Sequence, residues 1–182
     1  ISFKIAPRIN ASGRLADAAL AVELLLSDDA SYSMELSLKL DSFNRERQEI
    51  EKKIAQEAMA QVEAGQSNNS GLVVHGDDWH PGVVGIVASR VSRAYGRPCI
   101  VLGREGKLAK GSGRSIDGVN LVDVLNNFSD EMEAWGGHPM AVGVSIDKEK
   151  VERLRQHFDQ GVKAFMESHV WEKTIENSYK NV

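Results

Sequence analysis

From residue 30 to residue 64 the chain contains neither proline nor glycine, and Leu36, Leu40, Phe43, Ile50 and Ile54 fall at helical steps. Such a run predicts a single helix of roughly 50 Å, longer than a compact domain requires. Arg47 interrupts the apolar stripe, and the heptads are too few for a coiled coil. The helix therefore reads as a bridge, with separate structures expected on either side of it.

Ahead of the bridge, Pro7-Arg8-Ile9-Asn10-Ala11-Ser12-Gly13-Arg14 reads as a loop whose two arginines and asparagine can donate to oxyanions or base edges. Residues 15–26 are rich in strong helix formers with apolar residues on more than one side, which predicts a largely buried helix. Ser27-Asp28-Asp29 supplies capping chemistry before the long run begins. Behind the bridge, Gly65-Gln66-Ser67-Asn68-Asn69-Ser70-Gly71 has the composition of a polar linker, and a domain boundary is expected there.

From Leu72 onward the pattern alternates between strand and helix, which predicts an α/β domain. Residues 72–75 form a short buried strand, 76–82 a turn-rich loop, and 83–95 a helix closed by Gly96 with arginines near its end. Gly85 lies inside that helix, where it costs propensity, so a close packing contact is expected at it. Residues 98–102 and 108–115 read as strands, 120–127 as a short helix and 142–146 as a further strand. Asp147 caps a last helix running to about Met166. The tail from His169 shows no convincing period.

Charge and cysteine usage narrow the function classes. The net charge of -4 argues against indiscriminate nucleic-acid binding, but Arg90, Arg93, Arg97, Arg104, Lys107, Lys110 and Arg114 face only Glu105 and Asp117 within residues 89–118. That local excess suits a confined basic channel as well as a solvated surface of mixed sign. The single cysteine, Cys99, excludes an intrachain disulfide framework and suits a reducing, cytoplasmic compartment. No segment has the length and apolarity of a membrane span. The chain opens without methionine and reads as part of something longer.

Three stretches set small residues beside donor-rich side chains: residues 7–14, 110–115 and 135–138. In Gly111-Ser112-Gly113-Arg114-Ser115 two hydroxyls and a guanidinium can seat a phosphate while the glycines let the backbone come close; an edge strand with glycine bulges is the alternative. The order is neither that of a Walker loop nor that of a dinucleotide fingerprint. In Trp135-Gly136-Gly137-His138-Pro139-Met140-Ala141-Val142-Gly143 the paired glycines read as a turn or as a ligand-facing backbone, and His138 as an acid–base group, a phosphate donor or a buried histidine. Asp77, Asp78 and His80 read as caps and solvated surface rather than metal ligands. Trp79 and Trp135 suit either a core or a base-stacking platform.

These motifs, with Trp79-His80-Pro81-Gly82-Val83-Val84-Gly85-Ile86-Val87-Ala88-Ser89-Arg90 and Leu40-Asp41-Ser42-Phe43-Asn44-Arg45-Glu46-Arg47-Gln48, occur in an order that resembles the RecJ family of the DHH phosphoesterases. The resemblance covers about residues 6–165. It implies an α/β fold, a small sheet flanked by helices. Residues 1–29 would be the remnant of the DHH catalytic domain, 30–65 the interdomain helix, 71–168 the DHH-associated domain and 169–182 a tail leading toward a further domain. It further implies a single-strand-specific 5′-to-3′ DNA exonuclease using Mn2+ or Mg2+, whose ligands lie outside this chain, so that the chain alone is expected to be inactive. Single-stranded DNA is the implied partner, with a single-strand-binding protein or a helicase as further ones.

By the same likeness Ser112 and Arg114 would hold the 5′-terminal phosphate. Gly136, Gly137 and His138 would line the cleft near the scissile phosphate, with His138 as the catalytic candidate, and Arg8, Asn10 and Arg14 would approach the strand. Two other functions fit the same motifs: an oligoribonuclease or nucleotide phosphatase of the DHH group, and a non-catalytic replication scaffold that keeps this domain.

Overall fold

The computed structural model describes residues 4–179, with side chains described to Ser168. The chain forms two compact units, Ile1–Ile54 and Ala55–Val182.

In the first unit, α1 (Ala6–Leu15) occupies the stretch expected as a loop. Proline is tolerated in a first helical turn, where Pro7 stands, and Ser12 satisfies its hydroxyl locally by donating to the Ile9 carbonyl at 2.8 Å. The following helix, α2, is shorter than expected (Ala19–Leu26) and buries only Ala21. Val22, Leu25 and Leu26 are exposed, so the expectation of a largely buried helix fails in this chain. The long helix α3 runs Ala30–Gly65, 36 residues without a break. Asp29 opens it by accepting from the backbone N–H groups of Ser31 and Tyr32.

The second unit is a five-stranded sheet in the order β1-β2-β3-β5-β4. Its strands are β1 (Leu72–Gly76), β2 (Cys99–Glu105), β3 (Leu108–Arg114), β4 (Ala134–His138) and β5 (Ala141–Asp147). β1 and β2 are parallel, joined through α4 (Pro81–Tyr95), and the remaining pairs are antiparallel. A parallel pair needs a crossover, and α4 supplies it; Gly96 ends the helix in the left-handed region at φ 61°.

The two faces of the sheet are covered unequally. One is packed by α5 (Leu121–Asn126) and α6 (Val151–Tyr179), and the core gathers Ile100, Leu102, Val142, Val144, Ile146 and Phe158. The other carries α4, whose Val84, Val87, Ala88 and Val91 are buried. Because β2 lies under helices on both faces, it is apolar at its first four positions and buried at five in a row.

The connection at residues 65–71 is tied down despite its composition. Gln66 is buried, and Asp159 accepts from the N–H groups of both Ser70 and Gly71. The paired glycines at 136 and 137 lie within β4, and the turn of the hairpin falls at Pro139-Met140. α6 continues to Tyr179, past the expected end near Met166; the last three residues of the tail lie outside the described ones. Among the described residues no helix is long and apolar enough to cross a membrane.

Candidate functional site

The strand period sorts the phosphate-seat motif into two halves. Along β3, successive side chains point to opposite faces. A Cβ on Gly111 would stand 1.9 Å from the Val101 carbonyl oxygen, and one on Gly113 would stand 2.7 Å from Val142 Cγ2. These glycines therefore serve packing, not ligand approach as the sequence suggested. Ser112 and Arg114 alternate with them and lie on the α4 side, where a Cβ on Gly85 would stand 3.2 Å from Arg114 Nη2 and 3.3 Å from Ser112 Oγ.

Register then gathers the other motif onto the same face. Arg114 pairs with Ala141, which pairs with His138; Ser112 pairs with Gly143, which pairs with Gly136; Lys110 pairs with Ser145, which pairs with Ala134. With neighbouring strands about 4.8 Å apart, each row brings its outer members to roughly 10 Å across the face. The middle row is bare beyond Ser112. A Cβ on Gly136 would meet no atom within 4 Å, and one on Gly143 only the Gly136 carbonyl oxygen at 4.0 Å.

Neither of these glycines has a positive φ, so neither backbone nor packing demands glycine there, and the absent side chains leave main chain open to an approaching molecule. Gly137 differs. Its φ is 149°, and a Cβ on it would lie 2.3 Å from the Ala141 carbonyl oxygen. It belongs to the hairpin rather than to the open floor.

Two clefts flank the rows. One of about 590 Å³ is lined by Arg114, Ser89, Arg93, Ser115, Asp117 and Met140; another of about 270 Å³ lies over Gly136, Gly143, Lys110 and Trp135. Of the basic excess read from the sequence, Arg93, Lys110 and Arg114 thus border the clefts. Lys110 is partly neutralised by Glu105 at 2.9 Å. Arg97 donates to the Ser67 carbonyl at 2.8 Å, and Arg104 lies 3.7 Å from Asp77.

Arg8, Asn10 and Arg14 belong to the first unit. Asn10 and Arg14 line a groove with Ile9, Gly13 and Val22. Arg8 donates through Nε to Asp41 at 2.7 Å. That bond, with a second from Arg45, holds the Asp41 carboxyl below the usual carboxylate range.

Other candidates have structural roles. His80 caps α4, its Nδ1 accepting from Gly82 N–H at 3.1 Å, and Asp77 sits among His75, Arg104 and Lys148. Among the described residues no group of three or more His, Cys, Asp or Glu side chains is placed to hold a metal ion. Burial pushes the Cys99 thiol far up from its ordinary pKa. Trp79 is buried and donates to Glu57 at 2.7 Å, which makes it a core residue, whereas Trp135 is partly buried, packing against the core while it lines the smaller cleft.

Sequence reasoning missed Gly143 as part of the open floor. The signal was present: in Ala141-Val142-Gly143-Val144-Ser145-Ile146 large apolar residues alternate with small ones, the mark of a strand covered on one face.

The residues that build this sheet and its glycine floor fall within the stretch 68–164 that matches the DHHA1 domain, and the chain belongs to that family. Its curated relatives include the single-stranded-DNA-specific exonuclease RecJ of Bacillus subtilis, 43% identical over 162 residues, covering 88% of this chain and 21% of the relative. The RecJ of Escherichia coli is 36% identical over 176 residues, covering 92% of this chain and 30% of the relative. The chain thus spans less than a third of the length of these relatives. RecJ of Thermus thermophilus in complex with Mg2+ superposes with a TM-score of 0.83 at 32% identity, covering 90% of this chain and 25% of that one. A manganese-bound exonuclease RecJ gives a TM-score of 0.80 at 32% identity, covering 89% and 40%.

Proposed function

We propose that this chain is the DNA-binding half of a single-strand-specific 5′-to-3′ exonuclease, with residues 1–29 closing the catalytic domain, 30–65 bridging and 71–168 holding the strand. The observation that carries the reading is the middle row: Ser112 beside two glycines whose missing side chains serve no protein contact. A single strand laid on that floor would meet main chain at Gly136 and Gly143. Its terminal phosphate would accept from Ser112 Oγ and from the Arg114 guanidinium, whose planar fork suits a phosphate.

His138, one row away, would touch the phosphodiester to be cut, donating to a non-bridging oxygen and stabilising charge as it develops. Arg8, Asn10 and Arg14 would add contacts from the first unit. The RecJ structures named above hold Mg2+ or Mn2+. A cation serving the complete enzyme would be held by residues outside this chain, while those of this chain act on the strand.

The test is nuclease assay of the full-length protein with Mn2+ on end-labelled single and duplex DNA. Degradation of single strands from the 5′ end is expected; equal cutting of duplex, or degradation from the 3′ end, would overturn the reading. Activity confined to dinucleotides would favour an oligoribonuclease or nucleotide phosphatase instead. Binding should also weaken steeply with salt, because phosphate contacts release counterions.

A further inference from the structure

Gly85 stands in the interior of α4, a 15-residue helix that has its own terminator in Gly96. Glycine there disfavours the helix relative to alanine. Its φ is not positive, so the backbone does not require it. What glycine provides there is space, and the atoms nearest to that space belong to two residues: Arg114 Nη2 at 3.2 Å, Ser112 Oγ at 3.3 Å and Ser112 Cβ at 3.6 Å from a Cβ built on Gly85.

All three of these atoms are side-chain atoms, and on the far face of β3 the Val142 and Ile100 side chains already fill the space that a Cβ on Gly113 would take. Any group added at position 85 must therefore be absorbed by the two side chains themselves. Distances of 3.2–3.3 Å are tighter than nearly all Cβ contacts, which means a displacement of a few tenths of an ångström.

We propose that Gly85 is a positioning residue: by withholding a Cβ it lets α4 back the Ser112 hydroxyl and the Arg114 guanidinium, setting the geometry in which they grip a terminal phosphomonoester and so the preference for phosphorylated over hydroxyl strand ends. This rests on the phosphate-seat reading above. It adds that the selectivity is set from the helix, by a residue that touches no substrate. Hydrogen bonds to a charged phosphate depend steeply on distance and angle, whereas a strand ending in a hydroxyl does not engage them.

The experiment compares wild type, Gly85→Ala and Arg114→Ala in the full-length protein. It measures the ratio of affinities for a 5′-phosphorylated and a 5′-hydroxyl oligonucleotide by fluorescence anisotropy, together with Tm. Arg114→Ala should abolish most of the preference. Gly85→Ala should lower the ratio about fivefold with hydroxyl-end affinity unchanged, while Tm stays level or rises by about 2 °C because alanine favours the helix.

A residue that served folding alone would move Tm and leave the ratio. If Arg114→Ala collapses the ratio and Gly85→Ala does not, in Gly85→Ser as well, the positioning role is overturned and the seat stands. If neither variant changes the ratio, the seat itself is overturned. Because the ratio is internal to the folded protein, a destabilised variant still gives a decisive answer.

Discussion

Gln66 pairs with Val73 as a neighbouring strand would: its Nε2 donates to the Val73 carbonyl at 2.9 Å, and the Val73 N–H donates to its Oε1 at 3.0 Å. Two positions along β1, Gln61 does the same for His75 at 2.8 and 3.2 Å. β1 is an edge of the sheet, and the end of α3 with the residue after it thus seals with side-chain amides what another strand would otherwise cover.

Removing that seal should be costly. Gln66→Ala leaves the Val73 N–H buried without its acceptor, although Arg155 Nε still donates to the Val73 carbonyl at 3.1 Å. A loss of about 2 kcal/mol is expected, seen as a lower urea midpoint at unchanged slope. Gln61→Ala, at a half-buried position, should cost less.

The glycines of the hairpin should separate cleanly. Gly136→Ala and Gly143→Ala place a methyl in open space, so Tm should hold while single-strand affinity falls severalfold, a methyl now standing between the ligand and the floor. Gly137→Ala meets the Ala141 carbonyl and should destabilise by about 1–3 kcal/mol. Equal effects of all three on Tm would refute the distinction.

Within the phosphate-seat motif the same contrast holds between neighbours. Gly111→Ala drives a Cβ into the Val101 carbonyl and should cost more than about 3 kcal/mol, since main chain must move. Ser112→Ala should leave stability nearly unchanged and reduce affinity for 5′-phosphorylated strands.

Acid should weaken the first unit through Asp41. Its carboxyl lies below the ordinary 3.8, chiefly through the bond from Arg8, so the folded state binds this proton less readily than the unfolded chain. The stabilisation is complete above the ordinary value and disappears as pH falls through the depressed one. Arg8→Ala should move the Asp41 titration upward when followed by carboxyl NMR. The stability change itself should be small for so exposed a pair.

Much of this fold was legible because local chemistry and tertiary demand agree. The absence of proline and glycine through residues 30–64 announced α3, Gly96 announced the end of α4, and the apolar run in β2 announced a buried strand. Ser112, Arg114 and His138 stood out by residue type.

What sequence did not reveal depends on contacts between distant segments. Pro7-Arg8-Ile9-Asn10 resembles loop chemistry yet starts a helix. Gly136 and Gly137 suggest a turn yet lie in a strand whose partner, β5, supplies the pairing. Gln66 looks like linker until β1 is placed beside it. The division of labour among Gly85, Gly111, Gly113, Gly136 and Gly143 is invisible until each missing Cβ can be followed to what it would strike.

Cys99 carries a practical corollary. The chain has one cysteine, and it is fully buried with its thiol held protonated. A cysteine introduced at Ala134, exposed in the row next to the glycines, would then be the sole reactive thiol on the chain. Labels could be attached beside the glycine floor in the otherwise native background, and strand arrival read directly as a change in fluorescence.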